Sequence, residues 1–150
     1  MPTLEFIFRL LAAVAAGGAV GLERQINNKS AGLRTNTLVA LGACVYVLIN
    51  VILTKNGADP TRIIAQIVTG IGFLGAGVIL HRGVNVQGLT TAATIWCSAA
   101  LGSLAGLGLY LELLISTVLI IFVNTTFKKA DKWFMGDKKK KAENNDHSFE

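Results

Sequence analysis

The chain has 150 residues, of which 52% are hydrophobic and only 15% charged, and its mean hydropathy is +0.55; an ordinary soluble domain carries about 25% charged residues. The net charge is +5, but half of the positive charges are lysines crowded between Lys128 and Lys141, which is not the aromatic-studded basic face that binds nucleic acid. These figures exclude a soluble multidomain enzyme, and Cys44 and Cys97, both inside apolar runs, exclude a disulfide scaffold.

The pattern predicts an all-α membrane protein, a bundle of about five transmembrane helices over residues 1–123 followed by a short polybasic tail at 124–150. The first apolar stretch runs from Leu4 to Leu22 and is preceded by no Lys or Arg. Secretory signals begin positively charged, so this stretch reads as a retained first helix. Glu5 and Arg9 fall within it at i, i+4, where they neutralise each other near the outer surface. The second stretch covers Leu38 to Leu53. The third covers Ile63 to Leu80, and Asp59-Pro60 supplies a cap acceptor and a first-turn proline just ahead of it. Beyond it, Glu112 is the only charged residue between Arg82 and Lys128. The apolar run from Thr91 to Val123 would be about 50 Å long as one helix, against a hydrocarbon core of about 30 Å. It must fold back, and Gly106-Leu107-Gly108-Leu109-Tyr110 is the predicted corner.

Orientation follows from the basic residues. With the N-terminus outside, eleven lie on inner segments (Arg24, Lys29, Arg34, Arg82 and the seven tail lysines) against Lys55 and Arg62 outside. That bias predicts a multi-pass membrane protein with a cytoplasmic C-terminus. Phe127, Trp133, Phe134 and Met135 lie among the tail lysines, a composition that suits either a topology signal or docking on anionic headgroups.

Small residues recur every four positions. Ala13, Gly17 and Gly21 do so on the first helix, Gly72 and Ala76 on the third, and Ser98, Gly102 and Gly106 on the fourth. In lipid such faces let helix backbones approach closely, which predicts a tight bundle and allows a homo-oligomer. Gln66 and Thr69 are read as hydrogen bonders between helices, and Leu113 as facing lipid. Gly70-Ile71-Gly72-Phe73-Leu74-Gly75 satisfies the G-x-G-x-x-G spacing, but it sits inside a span with no strand before it and no acid about 20 residues on, so it is not a dinucleotide site.

Gly17 to Arg24 resembles Gly75 to Arg82, and Gly32-Leu33-Arg34-Thr35 resembles Gly88-Leu89-Thr90-Thr91. The two helix hairpins therefore read as parallel repeats with a fifth helix added. An acid at a helix C-terminus opposes the macrodipole, so Glu23 is expected to take Arg24 or Arg34 as partner. Glu23, Arg24, Arg34, Thr35, His81, Arg82, Thr90 and Thr91 form the candidate polar belt at the inner end, as a partner-binding site or as a solvated loop. No metal motif, no cofactor motif and no nucleophile–base constellation stands out, so an enzyme is not expected.

Four segments together carry a resemblance: Gly21-Leu22-Glu23-Arg24-Gln25, Ala31 to Asn36, Ala65 to Gly77, and Gly88 to Trp96. In order and spacing they resemble the bacterial MgtC/SapB family. The resemblance implies an inner-membrane protein of about five spans, linked to growth under Mg²⁺ limitation, to survival inside host phagocytes and to restraint of the F-type ATP synthase. An old family label, Mg²⁺-transport ATPase component C, finds no P-loop or phosphorylatable Asp motif here. Long members add a cytoplasmic ACT-like domain, for which the tail from Asn124 is too short. Virulence-associated members have Asn where Thr90 stands, and if that amide makes a partner contact, Thr90 counts against the ATP-synthase role. The leading expectation is a regulator that binds another membrane protein through its small-residue faces; the alternative is a small Mg²⁺ or H⁺ transporter or channel.

Overall fold

The structure is a computed structural model that describes residues 1–54, 61–82 and 85–127. Five helices carry it: α1 (Thr3–Ile26), α2 (Leu33–Thr54), α3 (Thr61–Gly77), α4 (Leu89–Leu107) and α5 (Tyr110–Phe127). α1, α2, α4 and α5 are long and apolar enough to cross a membrane. α3 has 17 residues, about 25 Å of helix, at the short end of a membrane span. Asp59 and Pro60, read as its start signal, lie outside the described residues, as does the polybasic tail.

Helix ends follow local chemistry. α1 stops where Asn28 takes φ 52°, with Asn28 N–H donating to Gln25 O and Lys29 N–H to Arg24 O. α4 stops the same way at Gly108, φ 79°, with Gly108 N–H donating to Ala105 O and Leu109 N–H to Leu104 O. Both are Schellman closures, in which a left-handed residue satisfies the last carbonyls. Gly108 is the predicted corner.

The third apolar stretch departs from its expected course. The helix ends at Gly77, and Leu80–Arg82 instead pairs antiparallel with Asn85–Gln87 as a short ribbon, β1 and β2. Gly88 follows with φ 93°, and a Cβ there would collide with the Val78 carbonyl. The chain returns close upon itself, which only glycine permits. The proposed repeat is therefore local. Glu23-Arg24 is helical while His81-Arg82 is strand, although Leu33 and Leu89 both open helices.

α2 is the central helix. Ala40, Ala43, Cys44, Val47 and Leu48 are all buried on it. α1 lies on one side through Ala13, Ala16, Gly17, Val20 and Gly21, and α4 on the other. A Cβ at Gly17 would stand 2.7 Å from Ala40 Cβ, and one at Gly21 2.7 Å from Leu33 Cα. A Cβ at Gly102 would stand 2.7 Å from the Ala40 carbonyl carbon, and one at Gly106 2.7 Å from Val47 Cβ. The faces Ala13/Gly17/Gly21 and Ser98/Gly102/Gly106 thus lie against α2, and both α1 and α4 press on Ala40.

α3 is attached less closely. Its buried residues are Ile71 and Gly75, joined to Ala43, Ile95 and Ala99. A Cβ at Gly72 meets nothing within 4 Å, and Ala76 is exposed. Neither holds the bundle together, because the Ile67–Ile71–Gly75 side of α3 faces the core and their side faces away. Leu113, expected at the lipid, is buried at 6% exposure.

The chain divides into two units, residues 1–120 and the remainder. Within the second, Thr125 Oγ1 donates to Ile121 O at 2.8 Å along its own helix.

Candidate functional site

A polar cluster is built by the α1–α2 turn and the first turns of α2 and α4. Arg24 continues the small-residue stripe of α1, so the helix carries its guanidinium into the bundle, where it is 2% exposed. Its Nη2 donates to Ser30 O at 3.0 Å and to Thr91 Oγ1 at 2.5 Å, and Ser30 Oγ lies 3.2 Å from the same hydroxyl. One turn deeper, Asn36 is fully buried on α2. Its Nδ2 donates to Ala31 O and, at 3.0 Å, to Gly32 O, while its Oδ1 accepts from Ser98 Oγ at 2.8 Å. The cluster thereby fastens a strained turn, in which Ala31 holds φ 55°, to the side of α4.

Glu23 does not join this network. Its Oε1 accepts from Asn27 Nδ2 at 2.7 Å, and the Arg24 guanidinium goes elsewhere. Successive helix side chains point about 100° apart and do not face each other, which is why the expected Glu23–Arg24 pair is replaced. Glu23 Oε2 and Arg24 Nε are both buried without a hydrogen-bond partner among the described residues. Arg34, Thr35 and Thr90 are exposed, so the belt contracts to Arg24 and Thr91 among its expected members. Thr94 Oγ1 bonds only its own helix, at Thr90 O. The His81 and Arg82 side chains lie outside the described residues.

Gln66 and Thr69 also differ from expectation. Thr69 Oγ1 donates to Ala65 O, 3.0 Å away in its own helix. Gln66 is exposed and lines a groove between α2 and α3.

Ser30, Asn27 and Asn36 belong to the site but were not among the sequence candidates. Asn36 had a legible signal. It continues the Ala40, Ala43/Cys44, Val47 stripe one turn earlier, and an amide on a close-packed face needs partners.

At the opposite end, Arg9 pairs with Glu5 as expected and also donates Nη1 to Gly106 O at 2.6 Å. A cation at the carbonyl end of α4 is favoured by the helix dipole. Phe8 and Tyr110 meet edge to face beside it, centroids 5.2 Å apart. Arg9 thus ties α1 to the α4–α5 corner rather than reaching for the surface.

Chemically, the Arg24–Asn36 cluster is a clamp. The Thr91 and Ser98 hydroxyls are engaged with Arg24 and Asn36, and among the described residues no three His, Cys, Asp or Glu side chains gather as metal ligands.

Comparison with known proteins places this geometry in context. The sequence model of the MgtC family matches residues 10–133. The chain is 51% identical over 130 residues to a protein named MgtC from Salmonella typhimurium, covering 87% of this chain and 55% of that one. A protein named MgtC from Brucella abortus is 53% identical over 119 residues, covering 79% and 50%. An uncharacterized protein of Synechocystis sp. is 50% identical over 124 residues, covering 83% and 53%. The chain spans about half the length of these curated relatives. No solved structure matches it.

Proposed function

The chain belongs to the MgtC family, and from that premise we propose that it is a non-catalytic regulator that acts by binding another integral membrane protein during adaptation to scarce Mg²⁺. The observation that supports this reading over transport is the closed centre of the bundle. Gly17 and Gly102 bring two helices against Ala40, and the polar cluster ties Arg24, Asn36, Thr91 and Ser98 to one another or to backbone carbonyls. A conduit needs polar groups that exchange partners with a passing ion, and these are engaged with each other. The F-type ATP synthase is the partner to test first, with exposed Thr90 at the start of α4 as the position to vary.

Liposomes holding only this protein test the reading. Mg²⁺ and H⁺ fluxes are expected to equal those of empty liposomes, and crosslinking in native membranes is expected to capture an integral membrane protein. Flux above the empty-liposome level makes the transporter the correct reading.

The same proposal places the N-terminus outside and the tail in the cytoplasm, from the eleven-to-two distribution of basic residues. A cysteine introduced at Asn144 is expected to resist an impermeant thiol reagent in intact cells, whereas one at Ala58 reacts. The reverse pattern inverts the topology.

A further inference from the structure

We propose that the outer face of α3 is an interface between two copies of this chain. On α3, Gln66, Gly70, Phe73 and Gly77 follow one another at i, i+4, i+7 and i+11, so they lie along one stripe. All four are exposed, and a Cβ added at Gly70 or Gly77 meets nothing within 4 Å. By contrast Gly17, Gly21, Gly102 and Gly106 are each covered by a neighbouring helix. α3 therefore carries a close-approach surface that its own bundle leaves uncovered.

The occupant is identified by two further features of that stripe. First, Gln66 lies about 7.5 Å along an apolar helix, its amide beside a groove otherwise lined by Leu38, Tyr46, Ile63 and Leu74 and their neighbours. The amide has no hydrogen-bond partner among the described residues, and an acyl chain can neither donate to it nor accept from it. An amide is its own complement, donor to acceptor and acceptor to donor. A second copy brought up about a two-fold axis supplies that complement, since such an interface sets each patch against itself. Second, Phe73 is 83% exposed, and the groove beside it has a volume of about 690 Å³. Phe73 shares its stripe with Gln66 and Gly70, which line that groove, so a two-fold operation that sets stripe against stripe brings each copy's Phe73 to the edge of the other's groove and close to its counterpart. Gly70 and Gly77 allow the backbone approach that this requires.

The test uses the full chain, purified and fluorophore-tagged, in liposomes that hold no other protein, with subunits counted as the protein-to-lipid ratio is lowered. Wild type is expected to remain in pairs where Gln66→Leu and Phe73→Ala have dissociated, each variant needing a roughly tenfold higher protein-to-lipid ratio to pair. Leu119→Ala, at an exposed position on α5, is expected to match wild type. In a chain with Cys44→Ala and Cys97→Ala, Phe73→Cys is expected to form a disulfide between copies and Leu119→Cys is not. Single subunits at every ratio, pairs indifferent to both α3 variants, or crosslinks through Leu119→Cys and not Phe73→Cys would each overturn the proposal. It stands or falls independently of the regulatory reading, because no other protein is present.

Discussion

Gly102→Leu is expected to prevent the bundle from closing. A Cβ at this position would lie 2.7 Å from the Ala40 carbonyl carbon and 2.8 Å from Ala40 Cα, so it strikes backbone rather than a side chain that can swing away. α2 has little room to shift, because Gly17 of α1 also packs closely against Ala40. Adding one methyl to a packed interior costs about 1–3 kcal/mol, which sets the scale for Gly102→Ala; the three further carbons of leucine take the variant past that. Cys44 is fully buried among α1, α2 and α4 and supplies the readout. With Cys97 changed to alanine, Cys44 in the wild-type bundle is expected to react with a thiol dye only on heating, and in Gly102→Leu at every temperature. Gly72→Leu, where a side chain enters open space, and Leu114→Ala, at an exposed position, are expected to behave as wild type. Equal Cys44 reactivity in Gly102→Leu and Gly72→Leu would remove the helix-packing argument.

Gly102 and Gly72 also mark what the sequence made legible. Both sit on small-residue faces with the same spacing, and spacing shows that a helix can be approached closely, not which neighbour does so. The faces of α1 and α4 meet α2 because short connections fold those helices against it or because their small residues match its Ala40–Val47 stripe. The Gly72/Ala76 face of α3 has no such partner among the described residues. The α4–α5 corner was legible because a run too long for the membrane must break at its glycines. The β1–β2 ribbon was not, since Val78, Ile79 and Leu80 continue the hydrophobic run and only the backbone shows it leaving the helix.

The polar site divides in the same manner. Arg24 was legible as an ion that needs a reason to lie beside a span, and the structure supplies Ser30 and Thr91. Arg34 and Thr35 carry the same chemistry at the start of α2, but the helix turns them outward. What brings a polar group inward here is its register on the small-residue stripes: Arg24 follows Gly17 and Gly21, Asn36 precedes Ala40, and Ser98 precedes Gly102 and Gly106. Each polar group extends a close-packed face by one turn, so the contacts that hold the helices together also deliver these side chains to one place.

Asn36 is therefore expected to be the most sensitive polar position in the chain. Asn36→Leu keeps the side-chain size but leaves Ser98 Oγ buried without an acceptor and strips the amide donor from Ala31 O and Gly32 O. An unsatisfied buried group costs about 1–3 kcal/mol. The Ser98 hydroxyl, fully buried, carries its whole penalty, whereas the two part-buried turn carbonyls recover some of theirs from water. The turn loses more than hydrogen bonds, since the left-handed conformation of Ala31 costs roughly 1–2 kcal/mol and is held in place by this amide. Asn36→Asp is expected to be worse, because a carboxylate sets oxygen against both carbonyls that the amide bridges. The pair term is separable by a double-mutant cycle. Ser98→Ala removes the hydroxyl that Asn36→Leu orphans, so thermal unfolding of the double variant should be less impaired than the two single losses added together, by on the order of 1 kcal/mol. Strict additivity would mean that the Asn36–Ser98 bond does not fasten α2 to α4, and that Asn36 acts through its bonds to Ala31 O and Gly32 O alone.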